Sequence, residues 1–274
     1  MNFPTTCPHC GHTVQTEYLD SGIHDLTCPN CQQRWVLFIR KHRFEMLFDL
    51  GTRALLMGFA REAVSNFASA LERCFEFYLK AALLERAASE HRDLLVVSRE
   101  LDATWKLLVS QSERQLGAFA AVYFSRQGQA PDFLTPQSLQ ADFRNRVIHR
   151  GYLPREEEVD AYAARLFAIM NRLLEELGDA ALQVTVLQER EYAAALDLLP
   201  GNVTAVFEEH PGMFRTRREQ TNPPQLGSPA SVPPTPRSAA SSTPSPVLND
   251  AAAFQTALRE RGTLVAELFG KRKS

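Results

Sequence analysis

The chain has no run of apolar residues approaching the roughly 18–20 that a bilayer-crossing helix needs, so no membrane span is expected. It also lacks an excess of charge: thirty basic residues stand against thirty-two acidic ones, a formal net charge of −2. That balance gives no global electrostatic reason to bind nucleic acid, and any such binding must come from a local patch. The opening Met1-Asn2-Phe3-Pro4-Thr5-Thr6-Cys7 has neither the basic nor the apolar region of a secretory signal, and a cytoplasmic location is expected. No P-loop, nucleophile elbow, zinc-protease helix or dinucleotide-binding glycine pattern occurs, which removes several common catalytic designs. What the chain does have is a globular balance, 45% hydrophobic and 23% charged, which excludes a wholly disordered polypeptide.

Cysteine is scarce, five in 274 residues, yet four fall in two pairs: Cys7-Pro8-His9-Cys10 and Cys28-Pro29-Asn30-Cys31. Two C-x2-C turns separated by seventeen residues have the spacing of a structural zinc site. Each turn aims two thiolates at one point, and two turns complete a tetrahedron. A redox motif would occur once at a strand-to-helix junction, and disulfides suit exported chains. Four thiolates fill the shell, so Zn2+ here is expected to fold the segment, with no catalytic metal implied. Residues 1–42 resemble a zinc ribbon, with strands over Thr13–Leu19 and Trp35–Ile39. Ribbons bind nucleic acid, bind protein or cap a fold, and the sequence leaves these open. Cys74 lies in a helical pattern and reads as core.

After about residue 42 the apolar period changes from two to near 3.6. Residues 43–200 read as an all-α bundle, giving a mainly α fold behind a small β ribbon. One helix begins at Phe44 and breaks at Gly58, and a longer one runs from about Phe59 to Arg86 on Val64, Phe67, Leu71, Phe75 and Tyr78. Another covers His91 to Val109. Ser110 and Glu113 form an S-x-x-E capping box before a helix to about Gln127. Thr135 and Pro136 are expected to open the next helix, which stops near Gly151. The clearest helix starts with Arg155-Glu156-Glu157-Glu158 and ends at Gly178, and a last one spans about Ala180 to Leu198.

Residues 201–247 read as irregular to disordered. Eight of the sixteen prolines lie between Thr221 and Pro246, with Arg237 the one charge there, and such a segment buries too little apolar surface to offset its ordering entropy. Residues 248–274 then form an amphipathic helix, capped at Asn249 or Asp250 and carrying Phe254, Leu258, Leu264, Val265, Leu268 and Phe269, with a basic end at Lys271-Arg272-Lys273. A tethered apolar helix docks on its own bundle, on a dimer mate, or on another protein.

The chemistry-bearing candidate is Arg144 to Pro154. Arg144 and His149 form R-x4-H, with Asn145 directly after the arginine. Arg86 and His91 repeat the bare spacing without the asparagine or the basic surroundings, which shows how cheaply it arises. Asn145 and His149 are four apart and share a helix face, while Arg144 sits about 140° around the helix with a side chain long enough to reach over its end. Arg146, Arg150 and Arg155 add charge, so four arginines and a histidine fall within twelve residues, a local basic patch suited to RNA. An imidazole titrating near neutrality can take the proton of a ribose 2′-hydroxyl while a guanidinium steadies phosphate charge. Equally, a histidine at a helix C-terminus is favoured for electrostatic reasons alone.

The run Phe143-Arg144-Asn145-Arg146-Val147-Ile148-His149-Arg150-Gly151-Tyr152-Leu153-Pro154 resembles the end-of-helix R-x4–6-H motif of the HEPN superfamily. The helix Arg61 to Glu72 is similar in style to that family's early helix, and the resemblance covers roughly residues 44–198. It implies a metal-independent RNA endonuclease, active as a homodimer that brings two motifs together across a two-fold axis. By that resemblance His149 is base or acid, Arg144 the phosphate clamp and Asn145 the orienting amide, and Glu72 is a candidate supporting acid. Many members serve in toxin–antitoxin or phage-defence systems, and others bind RNA without cutting it. The alternatives are a non-catalytic RNA-binding module, or a protein-interaction module that uses the ribbon and the C-terminal helix.

Overall fold

The computed structural model of the chain describes residues 2–19, 21–108, 111–210, 212–214 and 250–268. Four strands come first: β1 (Asn2–Thr6), β2 (Thr13–Glu17), β3 (Ile23–Thr27) and β4 (Arg34–Ile39). Seven helices follow: α1 (Arg43–Leu56), α2 (Ala60–Ser89), α3 (Leu94–Trp105), α4 (Ser112–Gln127), α5 (Ala141–His149), α6 (Glu156–Leu177) and α7 (Ala181–Asp197). Then come β5 (Thr204–Glu208) and a C-terminal helical segment, α8 (Asp250–Ala257) and α9 (Thr263–Leu268), joined through a wide π-type turn at Leu258–Gly262. The fold is mainly α with a small β region, and among the described residues no helix is long and apolar enough to cross a membrane.

β1 pairs antiparallel with β2, carrying the first cysteine knuckle between them. β3 pairs antiparallel with β4 and carries the second. The other edge of β4 is taken by β5, which runs parallel to it, with Trp35 opposite Thr204 and Ile39 opposite Glu208. That strand lies where the sequence reading placed an irregular segment. Five residues soon after Pro200 and Gly201 carry little local signal, and the strand that orders them pairs 169 positions away, so the pairing is decided by tertiary context.

A strand covered on both faces loses its polar alternation, and Trp35 to Ile39 are all buried. Trp35, Leu37 and Ile39 join the main core, whereas Val36 and Phe38 pack on Tyr192 of α7. The Tyr192 hydroxyl donates to the Ile39 carbonyl at 2.7 Å. Ribbon and bundle therefore share one core, in which Cys7, Cys28 and Trp35 belong to the same cluster as Phe48, Phe67, Tyr78 and Leu166.

α2 is the central helix, burying Val64, Phe67, Leu71, Cys74, Phe75 and Tyr78. Its Cys74 thiol is pushed up by burial, as a core residue's would be. The start of α1 holds a buried ion pair between Lys41 and Asp49, and Asp49 Oδ1 also accepts the Met213 backbone N–H at 2.9 Å. Met213 and Phe214 are irregular in backbone, as expected, yet both are buried in the core.

Other boundaries differ for local reasons. α3 is capped by Asp93, whose carboxylate accepts from Leu95 N at 2.8 Å. α4 is preceded by Gln111 at the N-cap, where the sequence suggested Ser110, a residue outside those described. Thr135 and Ser138 exchange the reciprocal bonds of a capping motif at 2.7 and 3.1 Å, yet only a turn follows. Gln140 adopts a left-handed conformation (φ 48°), and α5 starts after it. Arg155 precedes α6, where Glu158 accepts its backbone N–H at 3.0 Å.

The C-terminal segment packs on its own bundle. Phe254 is fully buried, 5.8 Å from Phe167 and 6.3 Å from Phe48. Arg165 donates to Asp250 at 2.7 Å and Gln255 to Asp160 at 3.2 Å. Val265 is buried and Leu264 exposed. The expected Pro/Ser linker, Asn249, Phe269 and the Lys271-Arg272-Lys273 end lie outside the described residues.

Candidate functional site

The two cysteine knuckles are built alike. In the first, Gly11 N–H donates to the Cys7 carbonyl at 3.0 Å and Cys7 N–H to the His12 carbonyl at 2.9 Å. In the second, Gln32 N–H donates to the Cys28 carbonyl at 2.9 Å and Cys28 N–H to the Gln33 carbonyl at 3.0 Å. Each knuckle closes through a left-handed residue, Gly11 (φ 71°) and Gln32 (φ 57°). Glycine takes that angle without penalty, and at Gln32 the hydrogen bonds must hold a side-chain-bearing residue there.

The four sulfurs of Cys7, Cys10, Cys28 and Cys31 lie within 4.8 Å of one another. Cys7 Sγ is 3.7 Å from Cys31 Sγ, and Cys10 Sγ is 3.6 Å from Cys28 Sγ. A tetrahedron of thiolates about 2.3 Å from a central ion has edges of about 3.8 Å, so the spacing fits a metal ion and is far longer than the roughly 2 Å of a disulfide. Asn30 donates its side-chain amide to Cys10 Sγ at 3.6 Å. With the backbone near His12 it draws that thiol down to about 6, while burial and the neighbouring thiols push Cys31 up to about 12. A shell of four sulfurs would leave an ion bound there no open position for substrate.

The second constellation lies at the far end of α5. Val147 and Phe143 bury one side of this short helix, Phe143 against the ring of Tyr162 at 5.4 Å. Fixing that face fixes the other. Gly151 (φ 71°) turns the chain away after His149, the last helical residue, and leaves the imidazole exposed. Arg144 Nη1 donates to Asn145 Oδ1 at 3.1 Å and lies 3.5 Å from His149 Nε2. A guanidinium only donates, so a hydrogen bond between the two would require an unprotonated Nε2.

Glu72 of α2 reaches the same arginine, with Arg144 Nη2 at 3.5 Å from Glu72 Oε1. Arg144, Asn145, His149 and Glu72 are thus brought together. Ser112, which sequence reasoning did not single out, donates its hydroxyl to Glu72 Oε1 at 2.6 Å. Beneath them Tyr162 is almost fully buried, and burial pushes its phenol up. Arg144 acts against that shift and Glu72 with it, so both charges are felt by the hydroxyl. Neither residue lies near the motif in sequence, so only the packing of α4 and α6 on α2 and α5 reveals them.

The three arginines expected to bind RNA stand apart from this cluster and carry acidic partners. Arg146 Nε is 3.4 Å from Asp142, and its guanidinium lies over the Tyr152 ring at 4.6 Å. Arg150 is 3.7 Å from Asp142 and Arg155 is 3.5 Å from Glu158. The Arg155 backbone N–H and the Tyr152 hydroxyl hold the Glu158 carboxylate below its ordinary range. The local positive charge is therefore partly neutralised, although the Arg150 and Arg155 side chains remain open to solvent at 68% and 77%.

No family model, curated protein or solved structure matches the chain.

Proposed function

We propose that the protein is a metal-independent RNA endonuclease of HEPN type, acting as a homodimer, with a structural zinc ion in the ribbon. The observation that carries the reading is the convergence of Arg144, Asn145 and His149 from one exposed helix end with Glu72 from another helix. An R-x4-H spacing alone arises by chance; what supports the reading here is that a half-buried acid from another helix reaches the arginine of the motif at 3.5 Å.

His149 takes the proton of a ribose 2′-hydroxyl. The oxygen attacks the adjacent phosphorus, the bond to the 5′-oxygen breaks, and the products are a 2′,3′-cyclic phosphate and a 5′-hydroxyl. Arg144 balances charge on the phosphoryl oxygens, Asn145 and Glu72 orient the guanidinium, and Arg150 and Arg155 attract the backbone. The leaving oxygen needs a proton, and a two-fold axis supplies a second His149 for it. Zinc suits the four-thiolate shell because it accepts tetrahedral sulfur and has no redox chemistry there. The test is cleavage of single-stranded RNA by folded protein in chelator. Wild-type protein cuts and His149→Ala does not, while cleavage by the alanine variant at the wild-type rate removes the site assignment.

A second reading, a protein-interaction module, is favoured by one observation. Leu56, Met57 and Phe59 at the α1–α2 corner are exposed, as is Leu264 of α9. If that corner carries the function, charging Met57 and Phe59 abolishes cellular activity while Arg144→Ala leaves it intact.

A further inference from the structure

We propose that Ser112 is a positioning residue of the Arg144–His149 site, pinning the Glu72 carboxylate against the guanidinium; this rests on the nuclease reading above. The chain of contacts is continuous. Ser112 Oγ donates to Glu72 Oε1 at 2.6 Å, the same oxygen lies 3.5 Å from Arg144 Nη2, and Arg144 Nη1 reaches Asn145 Oδ1 at 3.1 Å and His149 Nε2 at 3.5 Å. Three helices, α4, α2 and α5, each contribute to it.

The placement of the serine is specific. A serine near a helix start ordinarily uses its hydroxyl to cap its own helix. Here Gln111 occupies the cap, Ser112 is the first helical residue, and its hydroxyl goes to an acid forty positions away. The N-terminus of α4 also presents its positive dipole end to that carboxylate. α4 is itself held to α2 next door, where Arg73 donates to Gln115 at 2.7 Å and to Glu76 at 2.5 Å.

Glutamate has three rotatable bonds, and with one weak contact to Arg144 it would sample several positions. The serine reduces these to one and so sets where the guanidinium stands relative to the imidazole. Errors of about 1 Å in such alignment cost up to about a hundredfold in rate.

The experiment uses the full chain with Ser112→Ala and Ser112→Thr. The alanine variant should lose about tenfold in kcat on single-stranded RNA with KM within about twofold, since alignment and not binding is affected. Threonine, which keeps the hydroxyl, should restore the rate, and the thermal midpoint should stay unchanged in both. Wild-type kcat in the alanine variant, or no rescue by threonine, overturns the proposal. A second readout is independent of cleavage. The Arg144 guanidinium resonances should be sharp in wild-type protein, broadened in Ser112→Ala and sharp again in Ser112→Thr. If wild-type protein leaves RNA intact, the nuclease reading fails, and these resonances still decide the positioning role. Identical resonances in all three proteins overturn it.

Discussion

Glu72 and Arg144, seventy-two positions apart, meet at 3.5 Å with only 26% and 28% of their side chains exposed. A pair so sheltered is screened less by salt than a surface pair. Glu72→Ala should lower stability by about 1 kcal/mol, near the upper end for ion pairs. Its larger effect should fall on RNA cleavage, through a guanidinium no longer held toward His149. Glu72→Asp, one methylene shorter, should recover most of the stability and little of the rate. Urea melts and single-turnover rates on the two variants separate the effects, and equal losses in both readouts would argue that the acid is only structural.

The metal centre should govern the whole fold. Cys7 and Cys28 are buried in the cluster that holds the bundle together, and β4 runs from the second knuckle into the centre of the sheet. Elemental analysis should find one zinc per chain. Cys28→Ser should lose it and lower the main thermal transition, rather than melt the ribbon separately, since structural zinc contributes on the order of 10 kcal/mol to such sites. A Cys28→Ser protein with an unchanged transition would contradict this.

The Lys41–Asp49 pair is almost fully buried, and Asp49 also holds the Met213 backbone. Asp49→Ala leaves a buried ammonium and an unsatisfied N–H, and should cost about 3–5 kcal/mol in denaturant unfolding. The double variant Lys41→Met, Asp49→Leu should regain much of that, because no charge is stranded. A loss in the double variant as large as in the single one would show that the contact to Met213 dominates.

A pH dependence follows from Glu158. The Arg155 backbone N–H and the Tyr152 hydroxyl depress its folded-state pKa, so it contributes stability above the unfolded carboxylate value and loses that contribution as pH falls through the folded value. Glu158→Gln should therefore melt below wild type at pH 7, and the difference should shrink as pH falls below the ordinary carboxylate range. Parallel curves down to pH 3 would contradict the assignment.

Local chemistry explains how much of this could be read in advance. The knuckles were legible because two C-x2-C turns impose their own geometry. α6 was legible because Val159, Tyr162, Leu166, Ile169, Met170 and Leu173 keep one face over many turns and Gly178 ends it. β5 was not, because Thr204–Glu208 becomes a strand only when β4 lies beside it. The turn at Thr135 had the right capping residues, but Gln140 takes a left-handed conformation and α5 starts only after it. At the site, Arg144, Asn145 and His149 are neighbours in sequence and could be named together. Glu72 came only through a family likeness, and Ser112 and Tyr162 not at all, since their roles exist only across helices.

The central test is what this protein does to a ribose. A DNA strand carrying one internal ribonucleotide, given to folded wild-type protein in chelator, should be cut only on the 3′ side of that nucleotide. The upstream fragment should end in a 2′,3′-cyclic phosphate, and His149→Ala should leave the strand whole. An intact ribonucleotide strand under these conditions, or an all-DNA strand cut equally well, would contradict it.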